Sequence, residues 1–319
     1  MTAYILRRLG QGLVVIIAVS LLVFFAVRLL PGDPALLYLS RTQLDSISQE
    51  DLNTLKEKYG LNDNLVVQYG HWVQGIVTRG DFGESVFFRD SVGRLIAQRL
   101  PTTLYLGVIA FILYSLVGIT AGTLAALRRG TWVDSLVTAL ANLGITVPIF
   151  WLAIILIYVF AFKLGWFPIG GFSWPTEDFG LSIRQTILPV FCLMVFGLAA
   201  DTRQTRSSML EVTRQDYVRS ALSRGLTERQ VTMRHILKNG IIPIVTIKGM
   251  GFAGILGGSV FVETVFGING IGRLAAQAVQ QRDYAIVQAI CLLTSVVVVV
   301  INLIVDISYG WLDPRVRYT

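Results

Sequence analysis

The stretch TTLYLGVIAFILYSLVGITAGTLAAL, residues 102–127, carries no charged side chain from end to end. About 20 apolar residues in a helix cross a hydrocarbon core of about 30 Å, and this run exceeds that length. A second uncharged run, 135–162, follows the basic pair Arg128 and Arg129. Lipid offers no partner to exposed backbone groups, so apolar runs of this length must be helical. The two blocks, joined by a short basic turn, predict an all-α membrane protein.

Four further spans emerge on either side. Residues 10–30 form an apolar run with Arg28 near its end; 184–200 is short and contains Pro189; 240–262 is glycine-rich and holds Lys248; 284–305 is uncharged until Asp306. Arg7 and Arg8 ahead of the first run resemble a signal peptide, but the run is longer than an h-region and lacks a small-residue cleavage site, so it reads as an uncleaved anchor. The whole chain agrees with six transmembrane helices: 54% of its 319 residues are hydrophobic, only 15% are charged, and mean hydropathy is +0.64. Soluble domains carry about a quarter charged residues. Cys192 and Cys291 sit far apart inside apolar runs, which excludes a disulfide framework or a CxxC metal site.

Orientation follows from the basic residues of the short loops. With the N-terminus inside, Arg7, Arg8, Arg128, Arg129, the eight Lys/Arg of 201–239, Arg315 and Arg317 are cytoplasmic, whereas the short outer loops hold only Lys163, Arg184, Arg273 and Arg282. Both termini are expected in the cytoplasm. The chain divides into an anchor helix (1–30), an extracytoplasmic segment (31–101), a five-helix core (102–310) with a cytoplasmic loop at 201–239, and a tail (311–319). In the outer segment, "LPGDPA" at 30–35 reads as a stop and turn, 49–61 as a charged helix ended by Gly60, and 66–77 as an amphipathic piece with Tyr69 and Trp72.

The basic segment DYVRSALSRGLTERQVTMRHILKNGIIPIV, 216–245, reads as two short amphipathic helices. Val218, Ala221 and Leu222 share one face of the first, which Gly225 closes as a left-handed residue. Thr227 and Gln230 form a capping box for the second, along which Met233, Ile236, Leu237, Gly240 and Ile241 repeat the helical period. Three readings compete: a DNA-binding helix-turn-helix, a helix pair resting on lipid headgroups, and a docking knob for a cytoplasmic partner. Tethering to spans at both ends argues against nucleic acid and favours the knob.

No GxxxxGK[ST] loop is present, so ATP is not bound here in the P-loop manner. The spans also lack a nucleophile beside a base or a His/Asp/Glu cluster; the chain is not expected to be an enzyme. A partner-free channel or secondary carrier stays open on this evidence.

The 216–245 segment resembles the EAA loop of ABC importer permeases, in the form found in the dipeptide/oligopeptide/nickel permease family. Arg219, Ser220 and Ala221 stand at the Glu-Ala-Ala positions, with Gly225 at the usual spacing, whereas the motif's later proline is displaced to Pro243. The resemblance extends through "LLPGDPA" (29–35), "GDFGES" (80–85), "RLPTTL" (99–104), "ETVFGINGIG" (263–272) and "DISYGWLDPRVRY" (306–318). It implies a type I ABC importer transmembrane domain in a bacterial or archaeal cytoplasmic membrane, surrounded by lipid. The implied partners are a second homologous permease chain, two ATPase subunits that hold the ATP and Mg, and an external substrate-binding protein. This chain itself would hold no cofactor. The implied cargo is di- or oligopeptide, with nickel, glutathione or another small solute as the alternative. By the same resemblance, Arg219, Ser220, Ala221, Gly225 and Glu228 are expected at the ATPase contact.

Two further sites are expected. Lys248 and Asp306 fall at similar depth in antiparallel spans, as an ion pair or a pore contact. The segment 263–287, with an amphipathic stretch at 274–279, is read either as an outer gate or binding-protein surface using Glu263, Asn269 and Arg273, or as an interfacial helix.

Overall fold

The computed structural model describes residues 2–28, 63–85 and 87–312. The 30–35 turn, the 49–61 helix and the tail residues Arg315 and Arg317 lie outside the described residues. Those described are helical, with no strand beyond one isolated bridge between Glu84 and Ser91. In chain order the helices are α1 (Thr2–Arg28), α2 (Leu65–Arg79), α3 (Val92–Leu127), α4 (Trp132–Thr146), α5 (Ile149–Leu156, continued by a π-helical stretch Ile157–Lys163) and α6 (Phe179–Thr213). They continue with α7 (Asp216–Ser223), α8 (Glu228–Val231, continued by a π-helical stretch Thr232–Ile236), α9 (Leu237–Gly240), α10 (Ile242–Val265), α11 (Ile271–Gln281) and α12 (Tyr284–Leu312).

Four of these helices, α1, α3, α6 and α12, are long and apolar enough to cross a membrane singly, and counting each bent pair as one span gives six. The uncharged run 135–162, expected as one straight span, is broken: α4 and α5 meet at 105°. Pro148 has no N–H to continue the ladder and forces Val147 into an extended conformation, ψ 122°. The span expected at 184–200 extends well past Ala200 as α6, so the 201–239 segment begins as a continuation of that helix.

α3 and α6 run parallel and form the centre of the bundle. Glycines let them approach: a Cβ on Gly118 would lie 2.7 Å from that of Asp201, one on Gly122 would lie 2.6 Å from that of Thr205, and one on Gly197 would lie 2.9 Å from the Tyr114 ring. Small residues at helix crossings are the usual way for membrane helices to gain packing where lipid removes the hydrophobic drive. Around this pair a central core gathers Leu106, Ala110, Tyr114, Cys192, Leu193 and Ile255.

Two satellite cores close the ends. At one end Val92, Leu95 and Ile96 of α3 meet Leu274 and Ala278 of α11 and Ile286 of α12. At the other, Ala126 and Met209 meet Val218, Ala221, Val231 and Ile236 of the α7–α8 region. α1 lies antiparallel along α12, with Gly12 against Val299 and Arg8 3.3 Å from Asp306. Its far end carries Phe24, which packs edge-on to Tyr69 of α2 with ring centroids 5.2 Å apart. The Arg8–Asp306 contact brings the first and last helices together toward the end that carries α7–α9.

Candidate functional site

The elbow formed by α7 and α8 is built by local chemistry. α7 ends on Arg224, and Gly225 follows with φ +84°, in the left-handed region that a residue without Cβ enters freely. The Gly225 amide donates to the Leu222 carbonyl at 3.0 Å and the Leu226 amide to that of Ala221 at 3.4 Å, the paired bonds of a Schellman closure. Two residues later the Thr227 hydroxyl accepts from the Gln230 amide while the Gln230 side chain accepts from the Thr227 amide. Closure and capping box leave almost no free torsion between the helices, so the elbow is a rigid corner.

Its inner face is apolar and its outer face is basic. Val218 (2% exposed), Ala221 (6%), Val231 (2%) and Ile236 (5%) turn inward onto Met209 and Ala126. Arg219, Ser220, Arg224, Gly225, Glu228, Arg229 and Arg234 are exposed. Ala221, expected at a partner contact, turns inward onto the chain's own core beside Met209 and Ala126. Leu222 and Met233, expected on the apolar faces, are 45% and 58% exposed. The π-helical stretch Thr232–Ile236 accounts for Met233, because its wider turn puts Ile236, five residues after Val231, on the inward face.

The joint between α4 and α6 lies beside this elbow. The Arg206 guanidinium grips Asp134 through both carboxylate oxygens, at 2.6 and 2.9 Å, and the Gly130 amide donates to the same carboxylate at 3.0 Å.

Inside the bundle, Lys248 does not meet Asp306. Its ammonium makes a short contact to Asp201 of α6, donates to the Ser115 hydroxyl of α3 at 2.7 Å, and stands 4.7 Å over the Tyr114 ring. Asp306 is held instead by Arg8 of α1. α12 sets Asn302 level with Gly249 of α10, so Asp306, four residues on, lies about one helical turn beyond Lys248.

On α10 the residues facing away from α3 and α6 recur at heptad spacing: Met250, Gly254, Gly257, Phe261 and Thr264 are all exposed. A Cβ on Gly254 or Gly257 would touch nothing within 4 Å. One side of this helix is thus bound to the bundle and the other, floored by bare backbone, is open. The sequence showed a glycine-rich run, but its glycines fall on both sides of the helix, Gly251 and Gly258 against the bundle and Gly254 and Gly257 on the open face, so the run alone did not mark that face.

At the opposite end, Glu263 is wholly buried. Its carboxylate accepts from the Thr103 hydroxyl at 2.6 Å and from the Arg273 amide at 3.0 Å, while the Thr103 oxygen accepts from the Ile271 amide at 2.8 Å. These amides belong to the first turn of α11, whose Gly270 N-cap has no side chain to satisfy them. Glu263 is therefore a cap held inside the fold, and its burial removes it from the residues that could touch an external protein. Asn269 is exposed and receives the Arg273 side chain at 3.0 Å. A similar buried carboxylate, Asp283, accepts from Ser85 at 2.5 Å and precedes α12. Sequence reading missed Asp201, Thr103, Asp134 and Asp283, since each works through a partner distant in the chain.

Comparison with known proteins adds the following. The profile described as binding-protein-dependent transport system inner membrane component matches residues 118–318, and its N-terminal counterpart matches residues 1–107. A putative peptide transport system permease protein of Brucella abortus strain 2308 is 41% identical over 319 residues, covering all of both chains. The oligopeptide transport system permease protein AppB of Bacillus subtilis strain 168 is 40% identical over 321 residues, again covering both chains fully. Among solved structures, the inward-facing MetNI methionine ABC transporter superposes with a TM-score of 0.54 at 16% identity, over 69% of this chain and 96% of that one. A crystal structure of an amino acid ABC transporter with histidines gives 0.52 at 19% identity, over 68% and 94%.

Proposed function

The chain belongs to the binding-protein-dependent transport system inner membrane components, and from that premise we propose that it is the pore-forming permease subunit of an ATP-driven peptide importer. Its fold is that of a type I ABC importer transmembrane domain. In this reading an external binding protein delivers the peptide, a second permease chain completes the pathway, and two ATPase subunits carrying ATP and Mg dock on the elbow. The elbow faces the cytoplasm of a bacterial inner membrane, with both termini on the same side.

One observation carries the reading. The elbow is rigid, basic outside and welded by an apolar inner face to the end of α6, a long span. Such a corner passes a push from a docked partner into the bundle as a rigid-body movement, which a loose loop would absorb. Arg219, Ser220, Gly225 and Glu228 are exposed on its outer face, and in this reading they take that contact; Ala221 holds the corner from within. The open side of α10 supplies a wall on which backbone groups and small residues can accept peptides of varied sequence, and the names of the full-length relatives point to peptide as cargo.

The test is uptake of radiolabelled di-, tri- and penta-alanine by a strain lacking the chromosomal gene, complemented by this chain, with nickel and glutathione as competitors. Uptake restored by the chain, dependent on the ATPase genes and unaffected by either competitor supports the proposal. Uptake independent of the ATPases would mean a channel or secondary carrier, and inhibition by nickel or glutathione would move the cargo assignment to that solute.

A further inference from the structure

We propose that the buried pair Asp201–Lys248 locks α6 to α10, so that movement of the elbow, which the chain joins to both helices, carries them and the open wall of α10 as one body. The inference rests on the functional reading above and adds two positioning residues to it.

Three observations converge. Asp201 lies on α6, twelve residues before the helix ends at Thr213, about 18 Å along a rod with 1.5 Å rise per residue. The apolar weld to the elbow is at the far end of the same rod, where Met209 meets Val218 and Val231. Lys248 lies on the bound side of α10, away from Met250, Gly254 and Gly257. The pair thus ties one rod driven by the elbow to another that presents the wall.

The tie is also well made. The side chains of Lys248 and Asp201 are only 11% and 4% exposed, and Ser115 of α3 gives the ammonium a second oxygen. Gly118 and Gly197 bring α3 against α6, and Gly251 leaves space for the Tyr114 hydroxyl beneath the ammonium. Apolar helix surfaces slide past one another at little cost, because each methyl finds another as it moves. Opposite charges in a low-dielectric interior separate only at high cost. Here α6 and α10 must therefore move together or not at all. Within the described residues of α10, no other side chain carries charge except Glu263, which binds α3 and α11 rather than α6.

The experiment uses proteoliposomes of the full assembly: this chain, the second permease, both ATPases and the binding protein. Lys248→Met with Asp201→Leu replaces the pair by apolar side chains, a change that buried ion pairs often tolerate or gain from in stability. The expected result is a melting temperature at or above wild type, with at least a tenfold loss both of tri-alanine uptake and of the stimulation of ATP hydrolysis by binding protein. Lys248→Arg, which keeps the charge, is expected to retain both. If the apolar variant does not assemble, Lys248→Gln with Asp201→Asn, which keeps a hydrogen bond but no charge, decides by the same readouts. Wild-type stimulation in an assembled uncharged variant, or loss of stimulation in a stable Lys248→Arg, overturns the lock. If the wild-type assembly itself shows no stimulation and no ATP-dependent uptake, it is the importer reading that falls.

Discussion

Replacing Glu263 by alanine removes the acceptor of two hydrogen bonds, from the Thr103 hydroxyl and the Arg273 amide, in a wholly buried site. Hydrogen bonds to a charged group contribute about 1.5–3 kcal/mol each, and a donor left buried without a partner costs a similar amount. Removing the carboxylate also relieves its own burial, so the net loss is about 3 kcal/mol, concentrated in the first turn of α11. At about 1.4 kcal/mol per factor of ten, local opening there becomes roughly a hundred times more frequent. Glutamine keeps the volume and one carbonyl acceptor but deprives one of the two donors, for a loss of about 1 kcal/mol and roughly a fivefold effect. Amide hydrogen exchange of Ile271 and Arg273 in detergent reads this directly, with the α7 amides at the other end of the bundle as an unchanged reference. Unaltered protection in the alanine variant, or a larger effect for glutamine than for alanine, would refute the assignment of Glu263 as the cap of α11.

Three other outcomes are expected. Gly225→Val forces a β-branched residue to φ +84°, a strain of about 1–2 kcal/mol; the chain should still insert, but peptide taken up per ATP hydrolysed should fall, and a normal ratio with the ATPases co-purifying would contradict the rigid elbow. Arg206→Ala strands the Asp134 carboxylate, 8% exposed, and should cost about 3 kcal/mol of stability, recovered by adding Asp134→Leu; thermal unfolding checks both. Gly118→Val should abolish monodisperse protein on size exclusion, because its Cβ would press on that of Asp201 at 2.7 Å, whereas Gly254→Ala, with nothing within 4 Å, should leave melting unchanged or raise it.

Where the sequence could be read, the signals were local. The uncharged runs, the capping box of Thr227 and Gln230, and the left-handed Gly225 each depend on neighbours within a few residues, and each appears in the structure. The break at Pro148 was hidden because a proline inside an apolar run marks equally well a mild kink or a full corner; the angle depends on what packs in the bend. Asp201 was missed for a related reason. A carboxylate at the end of an apolar run signals the edge of a span, and only the lysine on a helix 47 residues away turns it into a buried group. Matching Lys248 to Asp306 by counting residues from the span ends failed because α12 sets Asn302, a turn before Asp306, against Gly249. Ala221 was assigned by position in a motif, and position does not say which side of a helix the fold will bury.

The corner at Pro148 bears on how the chain enters the membrane. α4 has 15 residues, about 22 Å of helix, too short to cross about 30 Å of hydrocarbon alone. Leaving the translocon, the uncharged 135–162 run is long enough to cross in one piece, and nothing within it dictates a right angle. Its bent form needs α6, since Gly144 packs against Ala199 and Val195. The angle between the two arms is therefore a joint property of α4, α5 and α6, so a chain ending before α6 would keep the break at Pro148 but lack the packing that holds its right angle.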